Sequence, residues 1–134
     1  MIQKYKIKSK IENLMVIERA IDEITSMYKI NHDYYGNIMV SVMEAVNNAI
    51  VHGNKLNPHK SVDIQIFVEE DILEVTVKDE GKGFNPKGIP DPTSPENIEN
   101  VDGRGVFIMS KLADAIEYNE KGNIVKLTFR NILS

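Results

Sequence analysis

Cysteine is absent from the 134-residue chain, which excludes disulfides, thiolate zinc sites and a cysteine nucleophile together and permits a reducing cytoplasm. An excess of positive charge is also missing. Sixteen Lys and Arg against twenty Asp and Glu leave a formal charge of -4, so no basic field is available to hold nucleic acid without sequence preference. No apolar run approaches membrane-spanning length, and the N-terminal stretch MIQKYKIKSKIENL interleaves charge with apolar residues and lacks a small-residue cleavage pattern. The expectation is a soluble, cytoplasmic, unprocessed protein that engages neither membrane nor nucleic acid. Two nucleotide signatures are lacking too. GNKLNPHKS has a Lys-Ser pair without the glycine that must precede it, and GRGVFI ends without the third glycine of a strand-linked G-x-G-x-x-G, so neither a P-loop nor a dinucleotide fold is expected. His32, His52 and His59 show no metal-ligand spacing.

With 42% hydrophobic residues, the chain suits one domain, residues 1–134, burying roughly two thirds of its unfolded surface. KYKIKSKI alternates Lys with Tyr5, Ile7 and Ile11, as an edge strand with one wet face does. From Asn13 to Tyr28, Leu14, Ile17, Ala20, Ile21 and Ile24 recur at helical steps. A second helix is expected from Asp33 or Gly36 to His52, with Gly53 as its left-handed stop. SVDIQIFVEE and DILEVTVKDE alternate as a hairpin turning near Glu70 and Asp71. GVFIMSKLADAIEY restores a helical run through Met109 and Leu112, and AIEY with NIVKLTFRN reads as a closing strand pair. Between Gly81 and Gly105 lies a loop rich in Gly, Pro and polar residues. A loop of that length inside a compact domain points to a lid over a ligand.

The second helix holds an unusual feature. MVSVMEAVNNAIVHGN packs Glu44, Asn47 and Asn48 together, and at about 100° per residue they share one sector with Asn37 and Ser41, while Ile38, Val42, Ala45, Val46 and Ala49 face the other way. A polar helix face by itself commonly means contact with water. Consecutive asparagines in mid-helix, however, cost on the order of tenths of a kcal/mol each, because the amide competes for backbone groups. An Asn oxygen is a hard neutral ligand suited to Mg2+, and a Glu one turn earlier can accept the proton of a hydroxyl or water. Phosphoryl transfer uses both.

Glycines flank the long loop. VKDEGKGF puts Asp79 at a strand end with Gly81 and Gly83 beyond it, where bare backbone lets a flat ligand approach and a carboxylate accepts its amino group, as adenine would offer. DGRGVFIM sets Gly103 and Gly105 at a helix start, which favours phosphate. Each pattern also occurs in ordinary turns.

In this order the elements resemble the GHKL ATP-binding family, and most closely its bacterial anti-sigma-factor serine/threonine kinases of the sporulation and general-stress type, over nearly the whole chain. EAVNNAIVHGN is similar to that family's N-box, which implies Glu44 as general base and Asn48 as Mg2+ ligand. DEGKGF resembles its D-x-G-x-G box, which implies Asp79 for the adenine amino group and Gly81 and Gly83 for the pocket wall. GRG at 103–105 resembles the second glycine box, which implies that Gly103, Arg104 and Gly105 hold phosphates after an ATP lid at about 84–102. GNIVKLTF resembles the last motif, with Asn123 where Thr is usual. Lys82, Lys87 and Arg104 are all available to neutralise phosphate charge, and the sequence does not choose among them.

The resemblance implies a two-layer α+β sandwich, the Bergerat fold: a mixed, mainly antiparallel sheet with helices on one face and an ATP lid. It implies ATP and Mg2+ as cofactors, phosphorylation of an anti-anti-sigma (STAS-type) protein, sequestration of a sigma factor, and a homodimer. Two alternatives stay open. A histidine-kinase catalytic domain shares the fold but normally carries Asn at the position of Glu44 and Lys at that of Val51. A non-catalytic, nucleotide-gated module would bind ATP and grip a protein without transferring phosphate.

Overall fold

The computed structural model describes residues 1–81, 109 and 111–133. Among these residues five strands form one sheet: β1 (Ile2–Lys8), β2 (Ser61–Glu69), β3 (Ile72–Lys78), β4 (Ala115–Tyr118) and β5 (Ile124–Arg130). Their spatial order is β1-β2-β3-β5-β4, and all four pairings are antiparallel. The resemblance implies a mixed, mainly antiparallel sheet; among the described residues every pairing is antiparallel.

Register explains which face is covered. Ile64 stands opposite Val77, Ile66 opposite Val75, and Val75 in turn opposite Leu127. Directly opposed residues share a face, so the alternating apolar residues of β2, β3 and β5 form one continuous buried surface. The other face carries Lys4, Lys6, Asp63, Lys78 and Lys126. The lysine-bearing β1 lies at an edge, as its sequence suggests. Ile11 does not extend it; a 3-10 turn at Ile11–Asn13 follows the strand and leaves Ile11 exposed.

Two helices cover the apolar face, α1 (Leu14–Met27) and α2 (His32–Asn48). Ile17, Ala20, Ile21 and Ile24 of α1 are buried, the positions read from its periodicity. Asn31 caps α2, its side-chain oxygen accepting from the Asp33 N–H at 2.8 Å, so the helix begins earlier than Asp33 or Gly36. Helix α2 lies over β3 and β5 and packs against α1. Ile38, Val42, Ala45 and Val46 supply its inner side, and each is almost wholly buried.

The end of α2 departs from the expectation of a left-handed glycine stop. The chain widens into a π-helical turn, Ala49–Gly53, and the positive φ angles fall afterwards, at Lys55 and Leu56. Such turns insert an extra residue per hydrogen-bonded ring and concentrate at functional sites. Met109, Lys111 and Leu112 are helical, with Met109 buried. The β4–β5 hairpin turns through Gly122 at φ 80°. No helix among the described residues is long and apolar enough to cross a membrane.

Candidate functional site

Glu44 and Asn48 lie half-buried one turn apart on α2, with Asn47 beside them. Among the described residues none of their side chains has a hydrogen-bond partner. Ser41, assigned to the same polar sector by the angular count, is instead fully buried, with its hydroxyl unpartnered.

Asp79 follows the last residue of β3 and is buried. Its Oδ1 accepts the Gly81 N–H at 2.8 Å, whereas Oδ2 accepts no hydrogen bond from any described residue. Burial pushes its pKa above the ordinary aspartate value of 3.8, opposed by the Gly81 N–H and by the charges of Lys121 and Lys60. A buried carboxylate whose second oxygen has no partner among the described residues is suited to a neutral N–H donor.

Helix and strand meet through glycines. A Cβ on Gly53 would lie 2.4 Å from the Asp79 carboxyl carbon, and one on Gly81 would lie 2.1 Å from the Gly53 carbonyl oxygen. The π turn therefore brings the end of the Glu44/Asn48 helix into direct contact with Asp79 and Gly81. Gly53 was read from the sequence as a helix stop; its observed role is to let this contact close.

Two asparagines hold the Asp79 segment. Asn54 is almost wholly buried, and its amide donates to Ser9 Oγ at 2.8 Å and to the Ser61 carbonyl at 3.0 Å, while its oxygen accepts the Glu80 N–H at 2.7 Å. Asn123, which stands where the motif usually has Thr, accepts the Asp79 N–H through its carbonyl at 2.9 Å and donates from its side chain to the Asp79 carbonyl at 3.1 Å. No periodicity marks Asn54 in the sequence; Asn123 is visible only as a departure from a pattern.

Of the residues singled out from sequence, Gly83, Gly103, Arg104 and Gly105, with Lys82, Lys87 and the lid at about 84–102, lie outside the described residues. The open depression on the opposite sheet face, lined by Lys4, Lys6, Asp63, Gln65, Thr76 and Lys78, is wet strand surface and no part of this site.

The model of the histidine kinase-like ATPase domain matches residues 7–129. The chain belongs to this family. Its ATPase-domain relatives include an anti-sigma F factor of Oceanobacillus iheyensis, 35% identical over 97 residues, which are 68% of this chain and 66% of that protein. Another anti-sigma F factor, from Heyndrickxia coagulans, is 34% identical over 118 residues, 83% of this chain and 72% of the relative. The serine-protein kinase RsbW of Bacillus subtilis is 27% identical over 130 residues, 92% of this chain and 81% of the relative. The match to the first of these spans 66%, just under two thirds, of the relative's length.

The ATPase-domain family implies ATP, and the residues present fit it. The Asp79 Oδ2, unpartnered among the described residues, suits the adenine amino group, and the absence of Cβ atoms leaves room beside Oδ2 at Gly53 and beside Oδ1 at Gly81. No group of three or more His, Asp or Glu side chains among the described residues forms a metal cluster. A single amide oxygen, with the remaining ligands from phosphates and water, is a donor set Mg2+ accepts.

Proposed function

We propose that the chain is a single ATP-binding domain, an anti-sigma regulatory factor with serine/threonine protein kinase activity, whose substrate is an anti-anti-sigma (STAS-type) protein and which sequesters a sigma factor, as a cytoplasmic homodimer. One observation carries the nucleotide half of this reading: a buried carboxylate with an acceptor oxygen unpartnered among the described residues, packed through two glycines against the end of the helix that bears Glu44 and Asn48. The names of the relatives, anti-sigma F factor and serine-protein kinase, support the protein-directed half.

In this reading Asp79 accepts the adenine amino group, and Gly53, Gly81 and Gly83 keep side chains away from the base. Asn48 offers its side-chain oxygen to Mg2+, which when bound neutralises phosphate charge. Glu44 accepts the proton of the partner's serine or threonine hydroxyl as its oxygen attacks the γ-phosphorus in line and ADP leaves. Glu44 is half-buried, at the polar side of α2, so it is reachable by a hydroxyl while screened from bulk water. Gly103, Arg104 and Gly105 hold the phosphates.

The test is transfer of labelled phosphate from Mg2+-ATP to small antagonist proteins of the STAS type. The kinase reading predicts phosphoserine or phosphothreonine on one of them, and a fall of about 100-fold or more in rate for Glu44→Ala with ATP binding retained. Binding of ATP with no transfer to any candidate would favour the nucleotide-gated module instead.

A further inference from the structure

Asp79 is held by more than its place at the end of β3. Its main-chain N–H and carbonyl are both bound by one residue, Asn123, the first through the Asn123 carbonyl and the second through the Asn123 side-chain amide. Asn123 is itself fixed: its side-chain oxygen accepts from the Asn119 amide at 2.7 Å. Asn119 is fixed in turn, its side-chain oxygen accepting the N–H groups of Gly122 at 2.9 Å and Ile124 at 3.0 Å. The chain of bonds runs in one direction, from the hairpin backbone to Asn119, Asn123 and the Asp79 carbonyl. It fixes which end of the Asn123 amide faces Asp79.

We infer that Asn123, braced by Asn119, is a positioning residue that sets which purine base the site accepts, by fixing the peptide that carries the Asp79 carboxylate. The inference rests on the nucleotide reading above and extends it to base selection. Adenine presents one exocyclic amino group to a carboxylate, flanked by a ring nitrogen that only accepts. Guanine presents an amino group and a ring N–H side by side, and a carboxylate free to shift can accept both. Discrimination between the two therefore depends on where the carboxylate is held. An acceptor fixed for the adenine edge meets the guanine edge out of register, which is specificity by exclusion.

Asn119→Asp isolates this role. An aspartate keeps the two acceptor bonds that close the hairpin but no longer donates to Asn123. The Asn123 amide then turns its NH2 toward the new carboxylate and its oxygen toward the Asp79 carbonyl, so the bond to Asp79 is lost while the turn survives. Asn123→Ala removes the same bond directly.

The experiment is equilibrium titration of the parent and both variants with Mg2+-ATP and, separately, Mg2+-GTP, alongside thermal melting without nucleotide. The parent prefers ATP. Loss of one hydrogen bond's worth of positioning cuts that ATP-to-GTP preference by about tenfold in each variant, with Asn119→Asp melting close to the parent. If Asn123→Ala does not fold, Asn119→Asp decides. An unchanged ATP-to-GTP ratio, or an equal fall in affinity for both nucleotides, overturns the inference and leaves the nucleotide reading standing. A parent that binds neither nucleotide brings down that reading and the inference together, before any variant is compared.

Discussion

A carboxylate at residue 79 is a cost to the nucleotide-free protein and a requirement of the proposed site, and the two can be separated. Its folded pKa is raised, mainly by burial, so the folded chain binds that proton more tightly than the unfolded chain does. The corresponding stabilisation is fully present below the ordinary value of 3.8 and is lost as pH rises through the folded value. Above the folded value the group is ionised in a place that disfavours its charge. Asp79→Asn keeps an acceptor for the Gly81 N–H and removes the charge. It is expected to raise the melting temperature of the nucleotide-free protein at pH 7 while lowering ATP affinity by at least about tenfold; a lower melting temperature would contradict this. In the parent, ATP affinity should weaken on acidification at a pH above that of an ordinary aspartate. Gly81→Ala tests the close contact from the other side. Its Cβ would meet the Gly53 carbonyl, a backbone atom that cannot rotate away. We expect a loss of about 1–3 kcal/mol in denaturant melts together with weakened ATP binding.

Among the elements, those with regular periodicity were legible in the sequence, because burial on one face imposes a repeat. The alternation of Val62, Ile64, Ile66 and Val68 and the spacing of Ile17, Ala20, Ile21 and Ile24 each match a buried face. The π turn was not legible, since an inserted residue at a helix end leaves no periodic trace, and Gly53 looked like the stop that glycine commonly makes. Ser41 was misplaced because an angular count on one helix knows nothing of its neighbours. The asparagine bonds escaped for the same reason: Asn54 joins residues 9, 61 and 80, a long-range set that no local pattern encodes. Asn54 also ties β1, β2 and the end of β3 together, so its removal is an element-scale test. Asn54→Ala leaves one buried and two part-buried partners on three segments without the amide, and denaturant unfolding should show a loss of about 2–3 kcal/mol. A change below about half a kcal/mol would mean that water replaces the amide freely.

For the whole molecule, the layering divides the proposed labour. The antiparallel sheet supplies a rigid floor, α2 spans its central strands β3 and β5, and the site gathers where the end of that helix meets the end of β3. Glu44 and Asn48, proposed to act on the phosphates, and Asp79, proposed to hold the base, are thereby parts of one connected frame. The π turn, with Gly53 against Gly81, is the join. Isothermal calorimetry of Mg2+-ATP with the parent chain and with Asn48→Ala tests this frame most directly. The account predicts saturable one-to-one binding by the parent and affinity reduced by at least about tenfold in Asn48→Ala, with the folded state intact by melting. A parent that gives no binding heat at several temperatures, or an Asn48→Ala that binds as tightly as the parent, would contradict it.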